Sequence, residues 1–301
     1  MAASSSVTIT VSGEQDNAMF EKAVALLEVA KNAVPDGALE YTTNPLLEPD
    51  WEVYKTQTAD AFGGQAYTHT KSPLVLVNGE YLGGYSELEA FVGNSFAGVS
   101  APPGEDSYYK ELGQEKYLRM LTESSESGKS YAYIYIKIGD SKAKKVIFEL
   151  CTKECPKTCE NFVALCDGKD SKLRYKGAPF HRVVKDAWIQ GGDIVSGRGD
   201  GGASIFGETF ADESFAVKFD SPGILAMANT GAHTNNSQFF VTLAPLPFLD
   251  CQNVAFGRVI RGMNVIRAVE RLECVNERPV EKVIIERAKQ LDLSSVADLK
   301  G

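Results

Sequence analysis

Apolar and polar positions follow two different rhythms along the chain. In the first hundred residues the pattern switches between period two and a period near 3.6, the marks of strand and helix. Val7-Thr8-Ile9-Thr10-Val11 alternates and is β-branched, which predicts a strand. Ala18–Ala33, with Phe20, Val24, Leu27 and then Val34 on one stripe, predicts a helix stopped by Pro35-Asp36-Gly37. Leu39 to Thr43 predicts a second strand, and residues 51–66 a weaker helix ended by Gly63-Gly64. Pro73-Leu74-Val75-Leu76-Val77 predicts a strand turned by Asn78-Gly79, with Tyr81-Leu82 pairing back. Ser86 is placed to cap a last helix over 87–92. The order is βαβαββα, an α/β domain with a mixed sheet and flanking helices.

From Tyr131 the apolar runs become short and frequent, as in an all-β domain. Strands are predicted at Tyr131–Ile138, Lys145–Leu150, Phe180–Val184, Phe215–Phe219, Ile224–Ala228, Phe239–Leu243, Val254–Ile260 and Val280–Ala288. Helices are predicted from Pro156 to Leu165 and from Met263 to Leu272. Between the two rhythms lie a Gly/Pro-rich stretch at 94–106, an amphipathic helix at 108–121 and a polar break at 124–130. The expected organisation is a domain at 1–96, a linker with its helix at 97–130, a mainly β domain at 131–291 and a tail at 292–301.

Charge supports the division. Residues 1–123 hold 18 acidic and 7 basic side chains, and the rest hold 22 and 24. The acidic first part argues against nucleic acid as a partner and leaves a protein surface as the expected one. Met1 to Ser6 lacks the charged-then-apolar pattern of a signal peptide, and no apolar run is long enough to span a bilayer. A cytoplasmic setting with reduced thiols is expected, without membrane association. All six cysteines lie at or beyond Cys151. Cys151, Cys155 and Cys159 are spaced by four, but Pro156 starts a helix among them, so reduced, partly buried thiols are expected over a metal site. Gly197-Arg198-Gly199-Asp200-Gly201-Gly202 matches a dinucleotide fingerprint in letters only; no helix is predicted after it, and it reads as a turn-rich loop.

The chemistry-bearing stretch is Phe180–Asp193, Phe-His-Arg-Val-Val-Lys-Asp-Ala-Trp-Ile-Gln-Gly-Gly-Asp. Arg182 and Gln190 stand among apolar residues, the make-up of a small-ligand pocket. This stretch resembles the signature segment of the cyclophilins, the peptidyl-prolyl cis-trans isomerases. Gly201 to Glu208, Gly223 to Asn229, Asn236 to Val241 and Val254 to Val259 resemble further cyclophilin segments, in order, over about Tyr131 to Leu291. The resemblance implies a closed eight-stranded antiparallel barrel capped by two helices. It implies an isomerase acting on X–Pro bonds of a proline-containing peptide or protein, with Arg182 as the electrostatic catalyst. Phe240 and Leu249 would line the proline cup, with Trp188 at the place of a methionine. Gln190, Asn229 and Gln238 would bind substrate backbone, flanked by Ala228 and Thr230.

Rotation about X–Pro faces a barrier of about 18–20 kcal/mol set by amide resonance. A fixed donor aimed at the prolyl nitrogen binds the twisted state better than either planar state, which requires no cofactor, metal or covalent step. Three positions depart from the family pattern: Ala187 stands where a phenylalanine packs the ring, Phe248 where a tryptophan is common, and Asn253 where a histidine lines the floor. Lost contacts in a pocket are worth about 1–3 kcal/mol, roughly 10–200-fold. Weak or narrow activity is therefore expected, and weak cyclosporin binding because Phe248 has no indole N–H. Strand alternation leaves it open whether Trp188 refills the space beside Ala187. The rival expectation is a non-catalytic proline-binding or scaffold component.

Ser72 to Tyr85, with Pro73 before a strand and Gly83-Gly84 after it, resembles the glutaredoxin segment that follows a cis-proline. The loop after the first strand, Gly13-Glu14-Gln15-Asp16-Asn17, holds no cysteine, so a thioredoxin-like fold here would be redox-inactive and act in docking. The combination resembles the ciliary group of isomerase-like cyclophilins. That resemblance implies a cilium or axoneme setting and a microtubule or axonemal partner.

Overall fold

The computed structural model describes residues 6–99 and 101–294; the ends of the chain, including the expected tail from 295 onward, lie outside the described residues. The chain divides into two compact units, Met1–Leu121 and Thr122–Gly301.

In the first unit the expected order is present: β1 (Val7–Glu14), α1 (Ala18–Ala33), β2 (Leu39–Leu46), α2 (Glu48–Phe62), β3 (Leu74–Val77), β4 (Glu80–Gly83) and α3 (Tyr85–Ser95). The sheet order is β2-β1-β3-β4, with β2 parallel to β1 and the other neighbours antiparallel. α1 begins where the Asn17 side chain accepts from the amides of Met19 and Phe20. Its Phe20, Ala23, Leu26, Leu27 and Ala30 pack on Ile9, Val11 and Val75 of the sheet, together with Leu88 and Val92 of α3. The Ser72–Pro73 bond is cis.

Two helices begin elsewhere than the sequence predicts. Ser86 is not the cap of α3: the helix starts at Tyr85, and the Glu87 carboxylate reaches back to accept the Gly84 N–H at 2.8 Å. The second helix starts earlier than residue 51, because Pro49 fits in its first turn.

The helix predicted over 108–121 runs as α4 from Asp106 to Glu126. Its residues up to Leu121 belong to the first unit. Gly113 lies so close to the Asp16 backbone that a Cβ there would come within 3.1 Å of it. Lys116 pairs with the buried Glu21, and Lys22 with Asp106. The loop that follows β1 is thus covered by a helix.

The second unit contains β5 (Ser130–Ile138), β6 (Lys144–Leu150), α5 (Pro156–Asp167), β7 (Phe180–Val184), β8 (Trp188–Gly191), β9 (Ile224–Met227), β10 (Phe239–Thr242), β11 (Ala255–Arg261) and α6 (Met263–Glu270), then a small hairpin, β12 (Cys274–Val275) with β13 (Arg278–Pro279), and β14 (Val283–Gln290). Eight strands form one antiparallel ladder, β14-β5-β6-β11-β9-β10-β8-β7. The ladder curls back on itself: Gly177 N donates to Ile285 O at 2.7 Å, and Ile285 N to Ala178 O at 2.9 Å. The result is a nearly closed barrel capped by α5 and α6. Phe162 of α5 packs into its interior against Phe148, Tyr175, Phe239 and Phe256. α5 has no side-chain cap of its own; Glu213, from a distant loop, accepts the amides of Lys157 and Thr158.

Phe215–Phe219 is not the strand its β-branched and aromatic residues suggest. Its backbone pairs with a distant loop instead: Phe219 N donates to the Asp250 carboxylate, and Leu246 N to Phe219 O. The Phe219 ring is buried in a second apolar cluster, apart from the barrel core.

Candidate functional site

That second cluster is the floor of the candidate site. β10 is buried at all four positions because both of its faces are covered. Phe239 joins the barrel core, while its neighbour Phe240 joins Phe219, Ile224, Ala226, Leu246 and Ala255 in the second cluster. Ala187, Trp188, Ala228 and Leu249 pack against the same group. Phe219 stacks on Phe240 with centroids 6.0 Å apart, and Trp188 lies 5.8 Å from Phe240. Five of the residues expected from the sequence therefore meet at one place.

Ala187 and Trp188 pack on one cluster although they are adjacent in sequence. Strand alternation does not govern them, because Ala187 ends the turn that precedes β8, where Asp186 takes φ +59° and Ala187 N donates to Val184 O. Trp188 packs on the same cluster as the small Ala187.

The polar groups line up across neighbouring strands. Arg182 of β7 is opposite Gln190 of β8, and Gln190 is opposite Phe240 of β10. The Arg182 guanidinium carbon lies 5.4 Å from the Trp188 ring centre. Its Nε donates to the Glu277 carboxylate at 2.6 Å, with both side chains about half exposed. Glu277, which the sequence did not single out, sits 95 residues further on, at the tip of the β12–β13 hairpin, and no local pattern ties it to Arg182.

Gln190 Nε2 donates to Gln238 Oε1 at 2.9 Å, and Gln238 Nε2 donates to the carbonyls of Gly199 and Gly201. Those carbonyls belong to the glycine-rich loop, which no helix follows. The loop is wound around the buried Asp193 carboxylate, which accepts the amides of Val195, Ser196, Arg198, Gly199 and Gly201 and the Ser196 hydroxyl. Burial alone would raise the Asp193 pKa, but the Ser196 hydroxyl and these amides outweigh it and hold the carboxyl well below the usual range. Asp193 thus fixes the loop, the loop fixes Gln238, and Gln238 fixes Gln190 beside Arg182.

The remaining expected residues sit around the rim. Asn229 donates to Gln252 O at 2.8 Å, and Asn253 donates to Met227 O at 3.0 Å. Thr230 is exposed, in a turn closed by Thr234. Phe248 is 59% exposed and does not plug the cluster. His181 is buried, which lowers its pKa, so it stays neutral at neutral pH. Cys151, Cys155, Cys159 and Cys166 are buried, and burial raises each thiol pKa. Among the described residues no group of three or more His, Cys, Asp or Glu is placed to hold a metal. An apolar floor beside a guanidinium and ordered amides can seat a small ring and hold the peptide groups on either side of it.

The profile of the family described as cyclophilin type peptidyl-prolyl cis-trans isomerase/CLD matches residues 133–290. The chain belongs to the cyclophilin-type family. Three similar proteins share the name "Probable inactive peptidyl-prolyl cis-trans isomerase-like 6". The human protein is 36% identical over 87% of this chain and 84% of its own length. The bovine protein is 33% identical over 94% and 92%, and the mouse protein 34% over 90% and 87%. The similarity therefore extends through the first unit, well beyond the cyclophilin barrel.

Proposed function

We propose that the outer-face site of the barrel binds an X–Pro segment and accelerates its cis–trans rotation weakly. The observation that carries this reading is the row Arg182, Gln190 and Phe240, side by side on β7, β8 and β10 above the second apolar cluster. Phe240, Leu249 and Trp188 cup the proline ring, and Gln190, Gln238 and Asn229 hold the flanking backbone. Arg182 offers a donor and a permanent positive charge to the prolyl nitrogen as resonance is lost. Activity is low because Ala187 removes a ring wall and because Glu277 already engages Arg182. The word "inactive" in the relatives' names agrees with that direction.

A second reading, binding without catalysis, is favoured by the same Arg182–Glu277 pair. The two are separated by exchange spectroscopy on Ala-Pro and Gly-Pro peptides. Acceleration abolished by Arg182→Ala supports the isomerase; binding with no acceleration supports the module. In either case we read the acidic first unit as a docking domain for a protein partner, microtubule or axonemal by the resemblance noted above, in a cytoplasmic or ciliary setting. Co-sedimentation of the full chain with microtubules tests this.

A further inference from the structure

Glu277 stands where backbone chemistry disfavours it. The pairs Cys274↔Pro279 and Val275↔Arg278 leave a two-residue turn, Asn276-Glu277, with φ of +49° and +63°. Such a turn needs left-handed backbone at both positions, and glycine is the residue that takes the second one without steric conflict. The hairpin does not depend on the Glu277 side chain for its place. The Glu277 carbonyl accepts Val183 N at 2.6 Å, and Arg278 Nη2 donates to Arg198 O at 2.7 Å. The carboxylate is an addition to a hairpin already anchored at two points, and it reaches the guanidinium at 2.6 Å. Strained backbone that persists beside a site points to a role for the side chain that causes it.

We infer that Glu277 is a positioning residue that holds the Arg182 headgroup and weakens its action on the twisted X–Pro amide; this rests on the isomerase reading above. The carboxylate takes the Nε donor and sets a negative charge next to the one positive charge the reaction uses. Because the pair is about half exposed, its effect is moderate and sensitive to salt.

The test uses the full chain and Ala-Pro peptide, comparing wild type, Glu277→Gly, Glu277→Gln, Arg182→Ala and the Arg182→Ala/Glu277→Gly double variant. Exchange rates at saturating peptide, peptide affinity and thermal midpoint are read for each. The expected result is a rise of about two- to fivefold in the saturated rate for Glu277→Gly and Glu277→Gln, the order set by an exposed pair. The gain disappears in the double variant, peptide affinity changes less than about twofold, and the Glu277→Gly midpoint is no lower than wild type. Raising salt increases the wild-type rate toward that of the variants and leaves theirs flat. If wild type is accelerated through Arg182 yet both Glu277 variants match it, the inference is wrong and the isomerase reading stands. A gain that survives Arg182→Ala overturns the inference as well. Absence of acceleration in every variant overturns the isomerase reading and the inference with it.

Discussion

Replacing Asp193 with asparagine strikes the loop that holds Gln238, and its cost follows from the hydrogen bonds. Oδ1 accepts the amides of Val195 and Ser196; Oδ2 accepts the Ser196 hydroxyl and the amides of Arg198, Gly199 and Gly201. An asparagine amide keeps one acceptor and turns an NH2 group toward backbone donors. In the better orientation its oxygen replaces Oδ2, and the amides of Val195 and Ser196 lose their acceptor. A hydrogen bond to a charged group is worth about 1.5–3 kcal/mol, so the loss is about 3–6 kcal/mol. That is a large part of the about 5–15 kcal/mol typical of a folded domain. The pH dependence has a definite sign. The folded pKa lies below the unfolded value of about 3.9, so the contribution is complete above that pH and drains away as pH falls below it. Urea unfolding of the second unit, followed by amide hydrogen exchange at 195–201, measures both effects. Asp193→Asn should lower the unfolding free energy by this amount, strip protection from the loop and flatten the acid slope below about pH 4. A loss under about 1 kcal/mol with the loop still protected would refute the reasoning.

Glu14 is pushed up to about 7, by burial first and then by Asp16, Glu48 and Glu52. Folding therefore takes up a proton between about pH 4.3 and 7, and this contribution is lost as pH rises through that window. Glu14→Gln should raise the thermal midpoint of the first unit at pH 8 and make it less dependent on pH. Gly113→Val forces side-chain atoms against the Asp16 backbone; overpacking of this kind costs about 1–3 kcal/mol and should expose α4 to limited proteolysis. Phe248→Trp adds an indole donor at an exposed rim position, so calorimetry should show cyclosporin binding about two- to tenfold tighter with stability unchanged.

Much of the fold could be read from periodicity because the elements alternate in the ordinary way. β1, α1 and β5 show clear strand or helix patterns, and the Asn78-Gly79 turn shows where β3 folds back on β4. In the candidate site, the apolar residues singled out in the sequence, Ala187, Trp188, Ala228, Phe240 and Leu249, share one cluster. The illegible parts have physical reasons. Phe215–Phe219 has strand-forming side chains, but its backbone partners are a carboxylate and a loop amide, which no local pattern reveals. Ala187 and Trp188 escape alternation because a left-handed residue, Asp186, bends the chain just before β8. Asp193 reads as one more polar residue after Gly191-Gly192, yet it carries the whole loop. Glu277 could be found only in three dimensions, since the barrel and its hairpin bring it across the chain to Arg182.

Arg182 is proposed to act on the rotating bond rather than on the resting peptide. The direct measurement is the cis–trans exchange rate of an Ala-Pro peptide at saturating concentration with wild type and with Arg182→Ala, alongside the affinity of each. The expected result is a modest wild-type acceleration that falls to the uncatalysed rate in Arg182→Ala while peptide affinity changes by less than about threefold. Equal rates for the two proteins, or a loss explained wholly by failure to bind, would contradict it.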